Sequence, residues 1–530
     1  MFYHQVVIRK FTECRGRQIP TRGKNMAGHV ERWRLLAGEA DSLPEFFGTH
    51  GMTLNDDERE RKESIVTVRA LLIGFVMVVL LSGVSFFNDC VLRQPLMVGN
   101  YFPPAVFGVL ILFVLCVNPL LRQLGTRLVL TGRELALIMA MVLIAASISS
   151  LGLMNYFPNV QMLPHVFART EFKRSGVVKM LPQRMLADPN AEDGKGLDMY
   201  LQGYTPPAND PQRKMKLGDI PWSAWTRSLL FWCPLLLVFF IAMTGLALVL
   251  HRQWADHEHL SYPIARFTGS LLKLGDNALP EIMLKRSFQI GMAIALFYHM
   301  SAYLHAWFPK YIPGLPRSFD FRAMMQLFPR VTAGGGHMLF TPSIFFSVIG
   351  FAYFFTADVS FAVGIAPWVY CGVVGFLAQY GVSSYGRFLS PSLDASFHAG
   401  AFAAIFVTML YAGRSYYKRI LRGTLFLREE KEYQREILGM RIFLLGFLLF
   451  VIQLTAVGLD WQLGVLYGLG AVMIFVVIGR IVAETGTFFI HPFFFPCAML
   501  WGFVGEQALG PRTLLIMMVV SSLLIIDPRQ

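Results

Sequence analysis

Long runs of apolar residues, repeated along most of the chain, are the feature that most constrains its fold. Each run approaches the ~20 residues that an α-helix needs to cross a bilayer. One run, residues 341–379, is too long for a single crossing and contains one charged residue, Asp358. The pattern predicts an all-α polytopic membrane protein with about twelve transmembrane helices, give or take about two, some of them broken or re-entrant.

Composition supports this class and excludes others. Of the 530 residues, 15% are charged and 55% are hydrophobic, whereas a soluble domain carries about 25% charged residues. An ordinary cytosolic enzyme and a disordered chain are therefore excluded. The formal net charge of +13 does not indicate a nucleic-acid partner, because a basic balance in so apolar a chain is typical of cytoplasmic loops.

Polar segments divide the apolar runs into blocks. Residues 1–65 are predicted to be a cytoplasmic tail, within which Met26 is an alternative start. Residues 66–155 form a first transmembrane block of three spans, near 71–87, 102–120 and 134–155. Residues 228–413 form a second block of five spans, near 229–250, 288–308, 342–357, 361–379 and 397–413. Residues 442–530 form a third block of four spans, near 442–458, 463–479, 488–505 and 514–526. This block stops directly after a span, so we expect a C-terminal portion to be missing.

The distribution of basic residues predicts the orientation. With the N-terminus inside, odd-numbered connections between spans face out and even-numbered connections face in. The basic connections 121–133, 251–286 and 414–441 are then cytoplasmic, as the positive-inside rule favours, and the polar insertion 156–227 is extracytoplasmic. The loop 309–340 is a mild violation. An even number of spans puts both termini in the cytoplasm, and the expected bilayer is the cell inner (plasma) membrane.

Five ionisable residues lie within or beside predicted spans, where a charge costs about 2.5–3.5 kcal/mol. Asp358 fits a broken transporter helix and equally a cap at the start of a helix. Arg480 and Glu484 are four residues apart and can pair on one helix face, either lining a polar pathway or forming a self-satisfied pair at the inner surface. Glu506 follows the next apolar run, and Glu134 is either a pathway residue or a membrane-edge residue. All five are candidates for a substrate or proton pathway.

Several short segments resemble the oligopeptide transporter superfamily, in particular its poorly characterised bacterial relatives. The similar segments are Phe102-Pro-Pro-Ala-Val, Asn118-Pro119-Leu-Leu-Arg122, Thr131-Gly-Arg-Glu134-Leu, Glu258-His-Leu-Ser-Tyr-Pro263-Ile-Ala265 and Arg480-Ile-Val-Ala-Glu484-Thr-Gly486. The resemblance implies an all-helical bundle with inverted repeats and re-entrant hairpins, and proton-coupled uptake of small peptides or metal chelates. The chain departs from the superfamily in its smaller number of spans and in its long polar insertion.

Three functions stay open from the sequence. The first, which we expect, is an inner-membrane secondary transporter, proton-coupled, of small peptides or related polar solutes, since no ATPase motif is present. The second is a structural or assembly protein that docks a partner through residues 156–227. The third is an intramembrane metal-dependent enzyme that uses Asp256-His257-Glu258-His259, although the two histidines are two residues apart and do not share a helix face.

The expected partners follow from the first function. They are the lipid bilayer and a small-molecule substrate, with no nucleic acid, while homo-oligomerisation stays open. We expect no enzymatic activity, no cofactor and no bound metal.

Overall fold

The structure, a computed structural model, describes residues 66–525. The gaps in this range are residues 93–95, 99–102, 150–151, 170–175, 207–209, 211, 273–279, 384–385, 387–388, 426–430 and 488–489. The predicted cytoplasmic tail 1–65 lies outside the described residues, so everything below concerns the rest of the chain.

The described residues form helices and loops, with no β-strand among them. The helices of eight or more residues, numbered in chain order, are α1 (Val68–Asp89), α2 (Pro104–Leu124), α3 (Gly132–Ala146), α4 (Leu153–Arg169), α5 (Lys195–Gln202), α6 (Trp222–His257), α7 (Pro263–Leu272), α8 (Arg286–Trp307), α9 (Ala357–Gln379), α10 (Leu393–Ala412), α11 (Arg414–Leu425), α12 (Gln434–Ala456), α13 (Trp461–Thr485), α14 (Pro496–Val504) and α15 (Pro511–Leu524).

Seven of these helices, within the described part of the chain, are long and apolar enough to cross a membrane: α1, α2, α6, α9, α10, α12 and α13. The chain is therefore an all-α, multi-pass membrane protein, as predicted. The predicted number of about twelve spans is not confirmed.

The difference in number has local causes. The third predicted span ends early, because α3 stops at Ala146 and a turn precedes α4. The sixth contains only the short helix Phe346–Ala352, and the eleventh contains only α14. The fifth is the full-length helix α8, which falls short of the other seven in hydropathy, and the twelfth is α15, which is shorter than a span.

The most extensive helix contact in the described part of the chain is between α6 and α12, where glycines let the backbones approach. A Cβ atom built on Gly245 would lie 2.6 Å from the carbonyl oxygen of Gly439, and one built on Gly439 would lie 2.7 Å from that of Gly245. Such small-residue contacts replace the hydrophobic driving force that lipid cannot supply between helices. Around this pair, α13 completes a core in which Trp232, Phe450 and Tyr467 are fully buried.

Residues of the polar insertion 156–227 pack onto this core. The indole N–H of Trp232 on α6 donates to the carbonyl oxygen of Met185 at 2.9 Å. Met162 on α4 and Leu197 on α5 are buried together. The described residues of the insertion therefore include short helices that pack against the first turns of α6.

Two helices begin level with the middle of a neighbouring helix instead of with its end. Tyr370 lies nine residues before the end of α9, or about 14 Å at 1.5 Å per residue, and its hydroxyl donates to Asp394 in the first turn of α10. Gly470 lies nine residues after the start of α13, and a Cβ atom there would lie 3.0 Å from the Cβ of Pro496, the first residue of α14. Both α10 and α14 therefore start level with the middle of a neighbouring span.

The chain just before α14 packs against the middle of α10. The rings of Phe402 and Phe494 have centroids 5.2 Å apart. Leu389 and Phe493, just before the starts of α10 and α14, have φ values of 58° and 59°. Because non-glycine residues rarely adopt this left-handed region unless their surroundings enforce it, the chain is tightly constrained just before each of these two helices.

Candidate functional site

Arg480, on the last turns of α13, is held between two carboxylates. Its Nε donates to Oε1 of Glu484 at 2.7 Å, and its Nη1 donates to Oε2 of Glu258. Gln253 donates to the other oxygen of Glu258 at 3.0 Å. The side chain of Arg480 is 17% exposed, so the charge is largely shielded and satisfied. This ion-pair cluster ties α13 to the segment that follows α6.

The same two segments are joined by their backbones. The N–H of Tyr262 donates to the carbonyl oxygen of Ala483 at 2.9 Å. The hydroxyl of Ser261 donates to the carbonyl oxygen of Glu484 at 2.8 Å. Two of the segments that resemble the oligopeptide transporters, 222 residues apart at the Arg480–Glu258 bond, are therefore neighbours in space.

A cavity of about 390 Å³ lies beside this cluster, between α6, α13 and the start of α7. Its lining is mostly apolar, and its polar residues include His251 and Tyr262, whose Nδ1 and Oη lie 3.3 Å apart. Trp254 lines the cavity and also contacts Arg480, whose guanidinium carbon is 5.7 Å from the ring centroid. The indole therefore connects the cavity with the charged cluster.

Two hydrogen-bond donors near the cavity are buried and unused. The indole N–H of Trp254 and the hydroxyl of Tyr417 have no hydrogen-bond partner within the described residues, which costs about 1–3 kcal/mol for each such group. Burial raises the pKa of Tyr417 to about 12 and also raises that of Tyr262, so both phenols stay protonated at neutral pH. Neutral donors of this kind can bind a carbonyl or carboxylate oxygen of a solute.

Other predicted site residues lie elsewhere. Asp358 is exposed in the first turn of α9, where a negative charge interacts favourably with the helix dipole. Glu506 is exposed in the short helix Glu506–Leu509, between α14 and α15. Neither residue lines the cavity beside Arg480. The structure therefore brings together Arg480 and Glu484 but not Asp358 or Glu506.

Glu134 belongs to a separate cluster at the start of α3. It forms a capping box with Thr131, and it accepts hydrogen bonds from Thr67 at 2.7 Å and from Arg69 at 2.5 Å. Its side chain is only 5% exposed. These contacts hold α1 against α3, which accords with the membrane-edge interpretation of this residue.

The run Asp256-His257-Glu258-His259 does not assemble into one ligand set. Asp256 lies 3.9 Å from Arg252, the ring of His257 packs 5.7 Å from that of Tyr416, and Glu258 is bonded to Arg480. In the described ranges, no group of three or more His, Cys, Asp or Glu residues is arranged to hold a metal ion.

A second polar cluster, absent from the predicted site, lies where α10 begins. The hydroxyl of Tyr370 donates to Oδ1 of Asp394, and Nδ1 of His398 lies 3.1 Å from the same oxygen. The side chains of Asp394 and His398 are 15% and 27% exposed. A carboxylate, an imidazole and a phenol therefore meet within two spanning helices, where ionisable groups are usually retained for function.

The chain between α13 and α14 completes this second cluster. The ring of Phe493 lies 5.3 Å from that of His398 and 5.8 Å from that of His491. The sequence contained a signal for the Asp394–His398 pair, because residues four positions apart lie on the same face of a helix. The sequence prediction missed it because it began this span at Phe397, which left Asp394 in the preceding loop.

One protein family matches almost the whole chain. It is described as a family of unknown function (DUF6785), and the match covers residues 60–530. No curated protein and no solved structure matches the chain. What the molecule does must therefore be inferred from its own residues and their geometry.

Proposed function

We propose that this protein is a proton-coupled secondary transporter of small peptides or related polar solutes in the inner membrane. The chain belongs to the DUF6785 family, whose function is unknown. The observation that carries this proposal is the cluster of Asp394, His398 and Tyr370 at the start of α10. It lies where the start of α10 meets α9 and the chain before α14.

Interrupted helices are the usual means by which secondary transporters expose polar backbone near the bilayer midplane. The starts of α10 and α14 leave N–H groups that no preceding helical turn satisfies. Pro391, before α10, packs against α14, since a Cβ atom built on Gly502 would lie 3.3 Å from the Cβ of Pro391. A solute that reached this point would meet oriented N–H groups and titratable side chains together.

The side chains of this cluster suit reversible proton binding. Histidine is the side chain whose charge ordinarily changes between pH 5 and pH 8. Nδ1 of His398 lies 2.9 Å from the main-chain carbonyl oxygen of Asp394 and 3.1 Å from its carboxylate, so this carboxylate would attract a protonated imidazole. Tyr370 of α9 donates to the same carboxylate. Gaining or losing the imidazole proton changes the attraction between α10, α9 and the chain before α14. Proton binding would thereby bias the packing of the helices that surround the site.

In this proposal the Arg480 cluster closes the solute pathway at a second place, away from the cluster on α10. It fixes the segment after α6 to the end of α13, beside the cavity that Trp254 lines. Separating Glu258 from Arg480 would release this segment and open the cavity. The unused donors of Trp254 and Tyr417 offer hydrogen bonds to peptide carbonyl or carboxylate oxygens.

Uptake into proteoliposomes tests the proposal. An inward proton gradient should drive accumulation of at least one labelled member of a panel of di- to tetrapeptides. Asp394→Asn should abolish accumulation, because the amide cannot hold a proton on His398 by charge. Asp460→Asn is the matched control, since Asp460 is exposed at the start of α13, and it should retain uptake. Peptide accumulation that does not depend on the proton gradient, or that the Asp394→Asn protein retains, would contradict the proposal.

A further inference from the structure

A second pocket, lined by arginines, lies at the opposite end of α6 from the Arg480 cluster. We propose that it binds an anionic group, either a carboxylate or a phosphate. The pocket has a volume of about 500 Å³ and takes one basic side chain from each of three parts of the chain, namely Arg184, Arg227 and Arg512. This inference does not depend on the transport activity proposed above.

The pocket forms where distant parts of the chain meet. Arg184 belongs to the helical turn Gln183–Met185 of the insertion, and Arg227 lies on the second turn of α6. The end of α12 contributes Thr455 to Gly458, and Arg512 is the second residue of α15. Three positive charges thus converge on one concave surface.

The lining contains no counter-charge. No Asp or Glu is among the residues that line the pocket, and none of the three arginines forms an ion pair with any residue that the structure describes. By contrast, Arg69 and Arg480 are each paired with a carboxylate. A guanidinium stays charged under all physiological conditions, so the three repel one another until an anion is present.

Arg227 shows an unused donor directly. Its Nη1 donates to Oε1 of Gln183 at 3.4 Å, while its Nε is buried and has no hydrogen-bond partner within the described residues. The planar donors of a guanidinium match the paired oxygens of a carboxylate or phosphate. An anion in the pocket would supply the acceptor that this buried donor lacks.

One of the three arginines has a structural explanation. A Cβ atom on Gly458 would lie 3.1 Å from Nη2 of Arg512, so that guanidinium sits over the end of α12. A positive charge there stabilises the C-terminal end of the helix dipole. That contact accounts for Arg512 but not for Arg184 or for the buried Nε of Arg227.

The required chemistry is available from two sources, a lipid headgroup and a soluble anion. The test therefore titrates the protein, purified in a neutral, phosphate-free detergent, with inorganic phosphate, with succinate and separately with phosphatidylglycerol. Ligand-induced thermal stabilisation reports the soluble anions, and native mass spectrometry reports the lipid. Binding of phosphate or succinate identifies a soluble-anion site, and binding of the lipid alone identifies a headgroup site.

Variants decide whether binding occurs in this pocket. Arg227→Gln should weaken binding about tenfold or more, because it removes a charged hydrogen-bond donor. Arg322→Gln changes the net charge equally at an exposed arginine paired with Asp320 and should leave binding unchanged. Should Arg227→Gln fail to fold, Arg184→Gln removes an exposed side chain and provides the same test. Binding of none of the ligands, or binding that the pocket variants and Arg322→Gln retain equally, would overturn the inference.

Discussion

At the scale of single residues, Arg480 shows how this chain accommodates a charge at the end of an apolar helix. Its guanidinium donates to Glu258 and Glu484 and contacts the ring of Trp254. Both carboxylates point at one cation, so each depends on it for compensation. Removing the arginine would leave two partly buried negative charges without the cation that both of them contact.

We therefore expect Arg480→Gln to lower the free energy of unfolding by about 1–3 kcal/mol, between the values for exposed and fully buried ion pairs. Arg480→Lys should fall between the wild-type and Arg480→Gln, because it retains the charge but loses the paired donors. The measurement is the thermal unfolding midpoint in detergent. Arg322→Gln is the control, and an equal midpoint for the Arg480 and Arg322 variants would refute the expectation.

Sequence spacing accounts for part of the site at this scale. The pairing of Arg480 with Glu484 follows from their separation by one helical turn, and the structure contains it at 2.7 Å. The bond to Glu258 could not be predicted, because no local rule relates residues 222 positions apart. Asp394 and His398 had a usable local spacing, but a span boundary placed a few residues too late concealed it.

At the scale of elements, the contact between α6 and α12 depends on two glycines. A Cβ atom at Gly439 would lie 2.7 Å from the carbonyl oxygen of Gly245. Backbone atoms cannot move aside as a flexible side chain would. The two helices can therefore approach this closely only while both positions lack a side chain.

Gly439→Val should consequently separate α6 from α12 and destabilise the protein by about 1–3 kcal/mol, as overpacking does elsewhere. Gly400→Val on α10 is the matched control, because a Cβ atom at Gly400 meets no other atom within 4 Å. Both variants place the same β-branched residue inside a helix. Folded yield and unfolding temperature after purification measure the difference, and equal values would refute the role assigned to this contact.

The sequence identified long apolar elements better than interrupted ones. The runs that became α1, α6, α12 and α13 had enough apolar residues to specify a span by themselves. The starts of α10 and α14 lie level with the middle of α9 and α13, where Tyr370 contacts Asp394 and Gly470 contacts Pro496. Hydropathy reports that a residue is apolar but not how deep it lies, so a half-length helix and a complete span look alike in a sequence.

At the scale of the whole molecule, the polar segments that connect the helices contact one another in two separate groups. Arg252 at the end of α6 bonds to Glu432 before α12 at 2.8 Å, and a Cβ atom on Gly132 would lie 2.7 Å from the carbonyl oxygen of Leu272. These residues belong to the three connections that carry the basic clusters. The arginine pocket joins the insertion to the end of α12 and the start of α15. The basic connections therefore meet in a different part of the bundle from the arginine pocket, and the cytoplasmic location of the basic connections stays a prediction.

The central claim is that the cluster on α10 carries the proton that accompanies the solute. The most direct test is the internal pH of liposomes that contain the protein and a trapped pH-sensitive dye, after a transported peptide is added outside. We predict that the wild-type and Asp460→Asn proteins acidify the lumen, and that His398→Gln and Asp394→Asn do not. Peptide entry without acidification by the wild-type protein, or acidification at the wild-type rate by both cluster variants, would contradict the account.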